Sequence, residues 1–204
     1  MWALIEDGSI TKHLRGNRGI TIGDTQYSRN IFSLWSKSEL EAKGIYEIVW
    51  DNSKKKDGEY YNNTNQTFTY DADAGTVTAT YGDATAKAHA DTLFTSDDED
   101  NGLGTEGEVA VEGLKTVRIR TVKQQAAGEL QNTDWYVVRK ADAGTAVPSA
   151  ITTHRAAVRT KCAEMETAIT NAAATPALET LYTYTRQEDD SVTRPLGELP
   201  RLES

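Results

Sequence analysis

Apolar and polar residues alternate with a period of two through most of the first ninety positions, then switch to a helical period. Ala3 to Ile5 and Ile10 to Leu14 flank Asp7-Gly8, a dipeptide that favours the two-residue turn of a β-hairpin, so the chain is expected to open with one. Residues 19–22 and the Gly23-Asp24 turn lead into Tyr27-Ser28-Arg29-Asn30-Ile31-Phe32, a run of aromatic and branched residues that reads as a further strand. Ser36 with Glu39 three positions on is the spacing of a capping box, which predicts a short helix over 37–43 stopped by Gly44. A strand over 45–50 follows. Phe68 and Tyr70, the turn 71–75, and then Val77, Ala79 and Tyr81 alternating with threonines predict a second hairpin.

The stretch Ser96-Asp97-Asp98-Glu99-Asp100-Asn101-Gly102-Leu103-Gly104 is acidic, rich in glycine and poor in apolar residues. It is expected to be a connector with little to bury. Beyond it the pattern predicts two helices within 112–173. The first covers 114–140 and consists of good helix formers; Gly144 and Pro148 supply a stop and a fresh start. In the second, Ile151, Val158, Met165 and Ala172 recur every seven residues, with Cys162 and Ile169 at the intervening positions and Arg155 where the first of those would fall. This seam spans about three heptads, long enough for helix pairing or a trimeric coil. Pro176 opens a short helix through Leu181, and the polar tail from Arg186 is expected to be extended. The resulting fold class is α+β: a β-rich module with one short helix over 1–95, an acidic linker over 96–111, a helical hairpin or coiled-coil segment over 112–182 and a tail over 183–204.

Composition narrows what such a chain does. Of its 204 residues 38% are hydrophobic, which points to a thin core and an elongated protein. With 31 acidic and 22 basic residues the net charge is −9, which repels phosphate backbones and anionic lipid, so no nucleic-acid partner is expected. Lys54-Lys55-Lys56 lies beside Asp51, Asp57 and Glu59 and reads as a solvated turn. The single cysteine leaves no intramolecular disulfide, no apolar run is long enough to insert in a membrane, and the first residues lack the pattern of a secretory signal; synthesis in a cytoplasm is the expectation.

Candidate chemistry is sparse. His13, His89 and His154 stand far apart in sequence, with no second histidine, cysteine or suitably spaced carboxylate beside any of them, so neither a zinc site nor a Cys-His nucleophile is indicated. No phosphate-binding glycine loop and no nucleophile elbow occurs, so no catalytic residue is named and a non-enzymatic role is expected. Asp97, Glu99, Asn101 and Glu108 approach positions 1, 3, 5 and 12 of a calcium-binding loop, with Gly102 at the sixth. Glu99 is longer than the third position takes and Gly104 replaces the apolar eighth, so an acidic solvated connector stands beside the calcium reading and no cofactor is assigned. Tyr60, Tyr61, Phe68, Tyr70 and Tyr81 form a set that stacks on sugars if exposed, or packs across strands if not.

Leu130-Gln131-Asn132-Thr133-Asp134-Trp135-Tyr136-Val137-Val138-Arg139-Lys140, followed by Gly144, Val147-Pro148 and Arg155-Ala156-Ala157-Val158-Arg159, resembles a motif recurrent in tail-fibre-associated and tail-assembly proteins of tailed bacteriophages. His154 stands where tyrosine is commoner in those families. Residues 27–36, with Glu39-Leu40 and Gly44-Ile45-Tyr46, are similar to the opening of phage tail proteins that more often carry proline at the position of Ser28. Together the matches cover about half of the chain. The resemblance implies a structural protein of the virion tail, made in the bacterial host cytoplasm and located at a tail tip, baseplate or fibre attachment. Its partners are other tail proteins and copies of itself; tail fibres suggest a trimer. It implies no active site. An assembly chaperone that leaves the particle and a receptor- or glycan-binding module that attaches to the host are the alternatives. On physical grounds Trp135 is expected to clamp the neighbouring helix with a buried ring, and Asp134 to pair with Arg155 or Arg159 across the turn. Cys162 is read as a small buried hydrophobe.

Overall fold

The computed structural model describes residues 1–202 and is a mixed α+β structure of two compact units, residues 1–85 and the chain from Ala86 onward. In the first unit the expected opening hairpin forms from β1 (Trp2–Glu6) and β2 (Ser9–Leu14), with Asp7 and Gly8 both at positive φ in the turn. A small pair, β3 (Ile20–Ile22) and β4 (Thr25–Tyr27), follows. The expected strand over residues 27–32 ends at Tyr27; Ile31–Leu34 is a helical turn, α1. Tyr27, Ile31 and Trp35 recur at intervals of four, which suits a helical turn: Ile31 enters the core while the Tyr27 and Trp35 rings meet edge-on at 5.5 Å.

Helix α2 (Lys37–Glu41) starts with the predicted capping box: the Glu39 backbone N–H donates to Ser36 Oγ, and the Ser36 N–H donates to the Glu39 carboxylate at 2.7 Å. Gly44 ends this segment for two reasons. Its φ is +74°, and a Cβ there would stand 2.5 Å from the Ile5 carbonyl oxygen of β1.

Strand β5 (Ile45–Asp51) then enters a five-stranded sheet of order β2-β1-β5-β8-β7, where β7 is Thr67–Asp71 and β8 is Thr76–Thr80; the two-residue β6 (Tyr61–Asn62) lies outside it. The expected hairpin β7–β8 is present, but β8 joins the rest of the sheet by running parallel to β5, with Ile48 opposite Val77. Both faces are covered. Leu4 and Ile45 pack with Ile20, Ile31 and Leu40 on one side, and Ala3, Ile48, Val77 and Ala79 form the core of the other. The sheet curls until its edge strands meet, His13 of β2 lying 4.1 Å from Phe68 of β7 between ring centroids. Lys54-Lys55-Lys56 is exposed, with Lys54 paired to Asp83 and Lys55 and Lys56 over the rings of Tyr81 and Tyr61.

The division between units falls at Thr85/Ala86, within β9 (Thr85–Ala86), rather than in the acidic stretch expected to separate domains. Residues 96–111 belong to the second unit and are structured. Thr95 and Asp98 form a capping box on α3 (Ser96–Asp100), and β10 (Thr92–Leu93) pairs with β11 (Val109–Val111). The acidic side chains are therefore used partly as caps, and Phe94 lies so close to Gly104 that any Cβ at that position would collide with its ring.

The expected helix over 114–140 is two helices, α4 (Leu114–Gln131) and α5 (Asp134–Ala143), broken at Asn132-Thr133; Gly144 closes α5 in the left-handed conformation. At the break Thr133 Oγ1 donates to the Leu130 carbonyl at 2.9 Å. Helix α6 (Ser149–Asn171) packs antiparallel to α4: its start reaches Leu130 through Arg155, while further along Glu166 pairs with Lys123 at 3.0 Å. Helix α7 (Thr175–Tyr182) follows, with Leu178 fully buried. The tail expected to be extended instead folds back. Thr185–Arg186 (β12) pairs with Val192–Thr193 (β13), the Leu196 N–H donates to the Leu181 carbonyl and the Leu196 side chain is buried.

Candidate assembly surface

The heptad positions of α6 are buried as the pattern demands. Ile151, Val158, Cys162, Met165 and Ile169 face into the second unit together with Ala172, just beyond the helix. The seam is thereby occupied within one chain, against α4, and is not a free stripe available to other copies. Burial pushes the Cys162 thiol up from its ordinary range, and Glu166 beside it adds to this. It is therefore held as the thiol rather than the reactive thiolate.

Arg155, the polar interruption of the seam, is itself buried, at 8% exposure. Its Nη1 donates to the Leu130 carbonyl at 2.8 Å and to Thr133 Oγ1 at 2.7 Å, and its Nη2 reaches Asp134 Oδ1 at 2.8 Å. One guanidinium thus holds the last turn of α4, the break and the first residue of α5. The Asp134–Arg155 pair anticipated from sequence is present; Arg159 lies exposed on the next turn of α6 and is not part of the cluster. Asp134 also places a carboxylate at the N-terminus of α5, where the helix dipole favours it. Sequence reasoning missed Thr133 and the buried state of Arg155. The available signal was an arginine at a seam position in an otherwise apolar heptad series.

Trp135 does not clamp a neighbouring helix. It is 51% exposed, as no residue of α5 is buried, and its ring lies 3.8 Å from that of Tyr136 between centroids. The Arg139 guanidinium lies 4.7 Å from the Trp135 ring and 5.3 Å from the Tyr136 ring, so the three side chains brace each other on the helix surface. Val138, 65% exposed and one turn from Trp135, extends this face. The ring expected to turn inward instead lies on the helix surface, while Arg155 and Thr133 form the buried part of the corner.

Other anticipated groups do not converge. Asp97 and Glu99 lie within α3 and Asn101 is its C-cap, so the first three calcium-loop positions follow a helix instead of encircling a point. Glu99 accepts the Glu106 N–H, Asn101 donates to the Asp97 carbonyl, and among the described residues no three His, Cys, Asp or Glu side chains cluster as metal ligands. Tyr60 and Tyr61 are buried, while Phe68 and Tyr70 are half-buried and engage Trp50 and Tyr46, so the aromatic set packs inward and across strands.

Opposite the corner, at the start of α4, Gly113 has no side chain with which to cap. Asp91 supplies the cap from a distance: its Oδ1 accepts the Gly113 N–H at 2.6 Å and its Oδ2 the Thr116 hydroxyl at 2.8 Å. These bonds, the Gly113 N–H first, hold the Asp91 carboxyl below its ordinary range. A carboxyl lowered in the folded state contributes stability that is present above its unfolded value, about 3.9, and is lost as pH falls through the folded value. Melting of the second unit between about pH 5 and pH 2 is therefore expected to fall less steeply in Asp91→Asn than in the native chain; parallel curves would show that this cap is not formed in solution.

Comparison of the chain with protein-family models, with curated proteins and with solved structures returns no match.

Proposed function

We propose that this chain is a non-enzymatic structural component of a bacteriophage tail, at the tail tip, baseplate or fibre attachment, and that it acts by protein–protein assembly. The resemblance of residues 130–159 and 27–46 to tail proteins motivates the reading. The observation that carries it is α5, a ten-residue helix with no buried residue that presents Trp135 and Val138 to solvent while Arg155 fastens its first turn. An exposed tryptophan braced by an arginine is the kind of anchor that dominates protein interfaces, because its large ring buries much area at little entropic cost. The surface is assigned to another protein of the tail. Self-association, including a trimer, has to use surfaces other than the α6 seam.

Protein identification in purified particles tests the reading. A structural component is found at fixed stoichiometry, and Trp135→Ser combined with Val138→Ser lowers its incorporation while leaving the chain folded. A chain that is abundant in infected cells and absent from particles is an assembly chaperone, which overturns the structural role.

A further inference from the structure

Residues 8–23 contain Lys12, His13, Arg15 and Arg18 and not one carboxylate, in a chain whose net charge is −9. The fold gathers this stretch around a cavity of about 510 Å³ between β2 and β3, lined by Lys12, His13, Arg15 and Arg18 with Phe32 among its walls. The loop that carries the arginines, Arg15-Gly16-Asn17-Arg18-Gly19, has its conformation set by close contacts. Gly16 has a φ of +73° and lies under the Trp2 ring, where a Cβ would stand 2.5 Å from Cζ3. At Gly19 a Cβ would stand 2.6 Å from the Tyr27 carbonyl oxygen. Trp2 in turn packs on Phe32 in a tilted arrangement with ring centroids 4.9 Å apart, and His13 packs on Phe68. Among the described residues Lys12, Arg15 and Arg18 make no ion pair with any carboxylate.

We propose that this cleft is a binding site for a phosphate monoester on an otherwise neutral carrier, such as a sugar phosphate. Three like charges held around one cavity repel each other unless an anion joins them. A single carboxylate balances one of the three, while a phosphate monoester brings a charge of about −1.5 to −2 at pH 7 and three acceptor oxygens that match the arginine fork. Long polyanions fit less well, because the acidic remainder of the chain repels them beyond the local patch. The glycine-pinned loop presents both guanidinium groups without a large ordering cost on binding.

The test is amide NMR on the full chain at low ionic strength, with glucose 6-phosphate, inorganic phosphate, glucose and a short DNA duplex as separate probes. Glucose 6-phosphate is expected to give saturable shifts centred on residues 12–21, and glucose none. Replacing both arginines (Arg15→Gln with Arg18→Gln) is expected to weaken binding by roughly a hundredfold, about tenfold for each charge-assisted contact removed. Both arginines are exposed, so the variant keeps its fold, which its spectrum verifies directly; Lys12→Gln on β2 gives a second, independent loss. Inorganic phosphate bound as tightly as the sugar phosphate keeps the oxyanion site and assigns it to free phosphate. Absence of saturable shifts, unchanged affinity in the double variant, or tighter binding of DNA than of glucose 6-phosphate overturns the proposal.

Discussion

Arg155→Met is expected to destabilise the second unit by about 2–3 kcal/mol, read as a loss of amide-exchange protection across α4 and α6. Methionine suits the seam in volume and polarity, and replacing a buried ion by a hydrophobe is often harmless when its partners go with it. Here they stay. Thr133 Oγ1 and the Leu130 carbonyl each lose a charge-assisted hydrogen bond at a largely buried corner, although the bond from Thr133 to Leu130 survives and limits the cost. Asp134→Asn should cost under about 1 kcal/mol, because the Asp134 side chain is 56% exposed and solvent takes over the role of its partner. Adding Thr133→Val to Arg155→Met is expected to recover part of the loss, since both polar groups then leave together. If Asp134→Asn were as damaging as Arg155→Met, the corner would be an ion pair rather than a backbone anchor. Exchange measured residue by residue is the appropriate readout, because a chain of two units need not unfold in one transition.

The second large effect belongs to the other end of the seam. Ile169 is fully buried on α6, and Ile169→Ala is expected to cost about 3 kcal/mol through lost burial and the cavity left behind. The same substitution should leave the mass of the native species in solution unchanged, because the seam packs against α4 of its own chain. A seam that joined copies would behave in the opposite way, with oligomers dissociating before the fold is lost. Trp135→Ala gives the contrast. Its ring is half exposed, so stability should move by no more than about 0.5 kcal/mol, while any partner seated on α5 loses its anchor. Sedimentation equilibrium beside thermal melting separates the two residues: one supports the fold, the other the surface.

These contrasts follow from features of very different legibility. The burial of Ile151, Val158, Cys162, Met165 and Ile169 could be read in advance because a helix repeats its environment every three to four residues, so a seven-residue apolar period forces one face inward. What that face meets is a separate matter. The same period serves an intermolecular coil and an intramolecular pair, and only the return of α6 along α4 selects the second. Trp135 was misread for a related reason. A large ring beside a helix end is usually buried, but here the buried groups of the corner are Thr133 and Arg155, and the Trp135 ring packs on Tyr136 and Arg139 at the surface. The acidic stretch is solvated, as its composition implies, but composition does not reveal that it is structured, with Asp98 capping a helix with Thr95 and Glu99 receiving the Glu106 N–H. The Lys12–Arg18 cleft escaped notice since its cations are spaced along a strand and a loop, with no contiguous basic run to mark them.

By itself the sequence determined the local elements: the Asp7-Gly8 turn, the Ser36–Glu39 capping box, the stops at Gly44 and Gly144, the hairpin around residues 71–75 and the periodic face of α6. Each depends on groups within a few residues of one another, where backbone sterics and local hydrogen bonds outweigh everything distant. The tertiary structure alone decided the parallel pairing of β5 with β8, the return of α6 along α4 and the Arg155 cluster at the corner between α4 and α5. These join groups that lie tens of residues apart, and their energies exist only once the chain has closed the intervening loops.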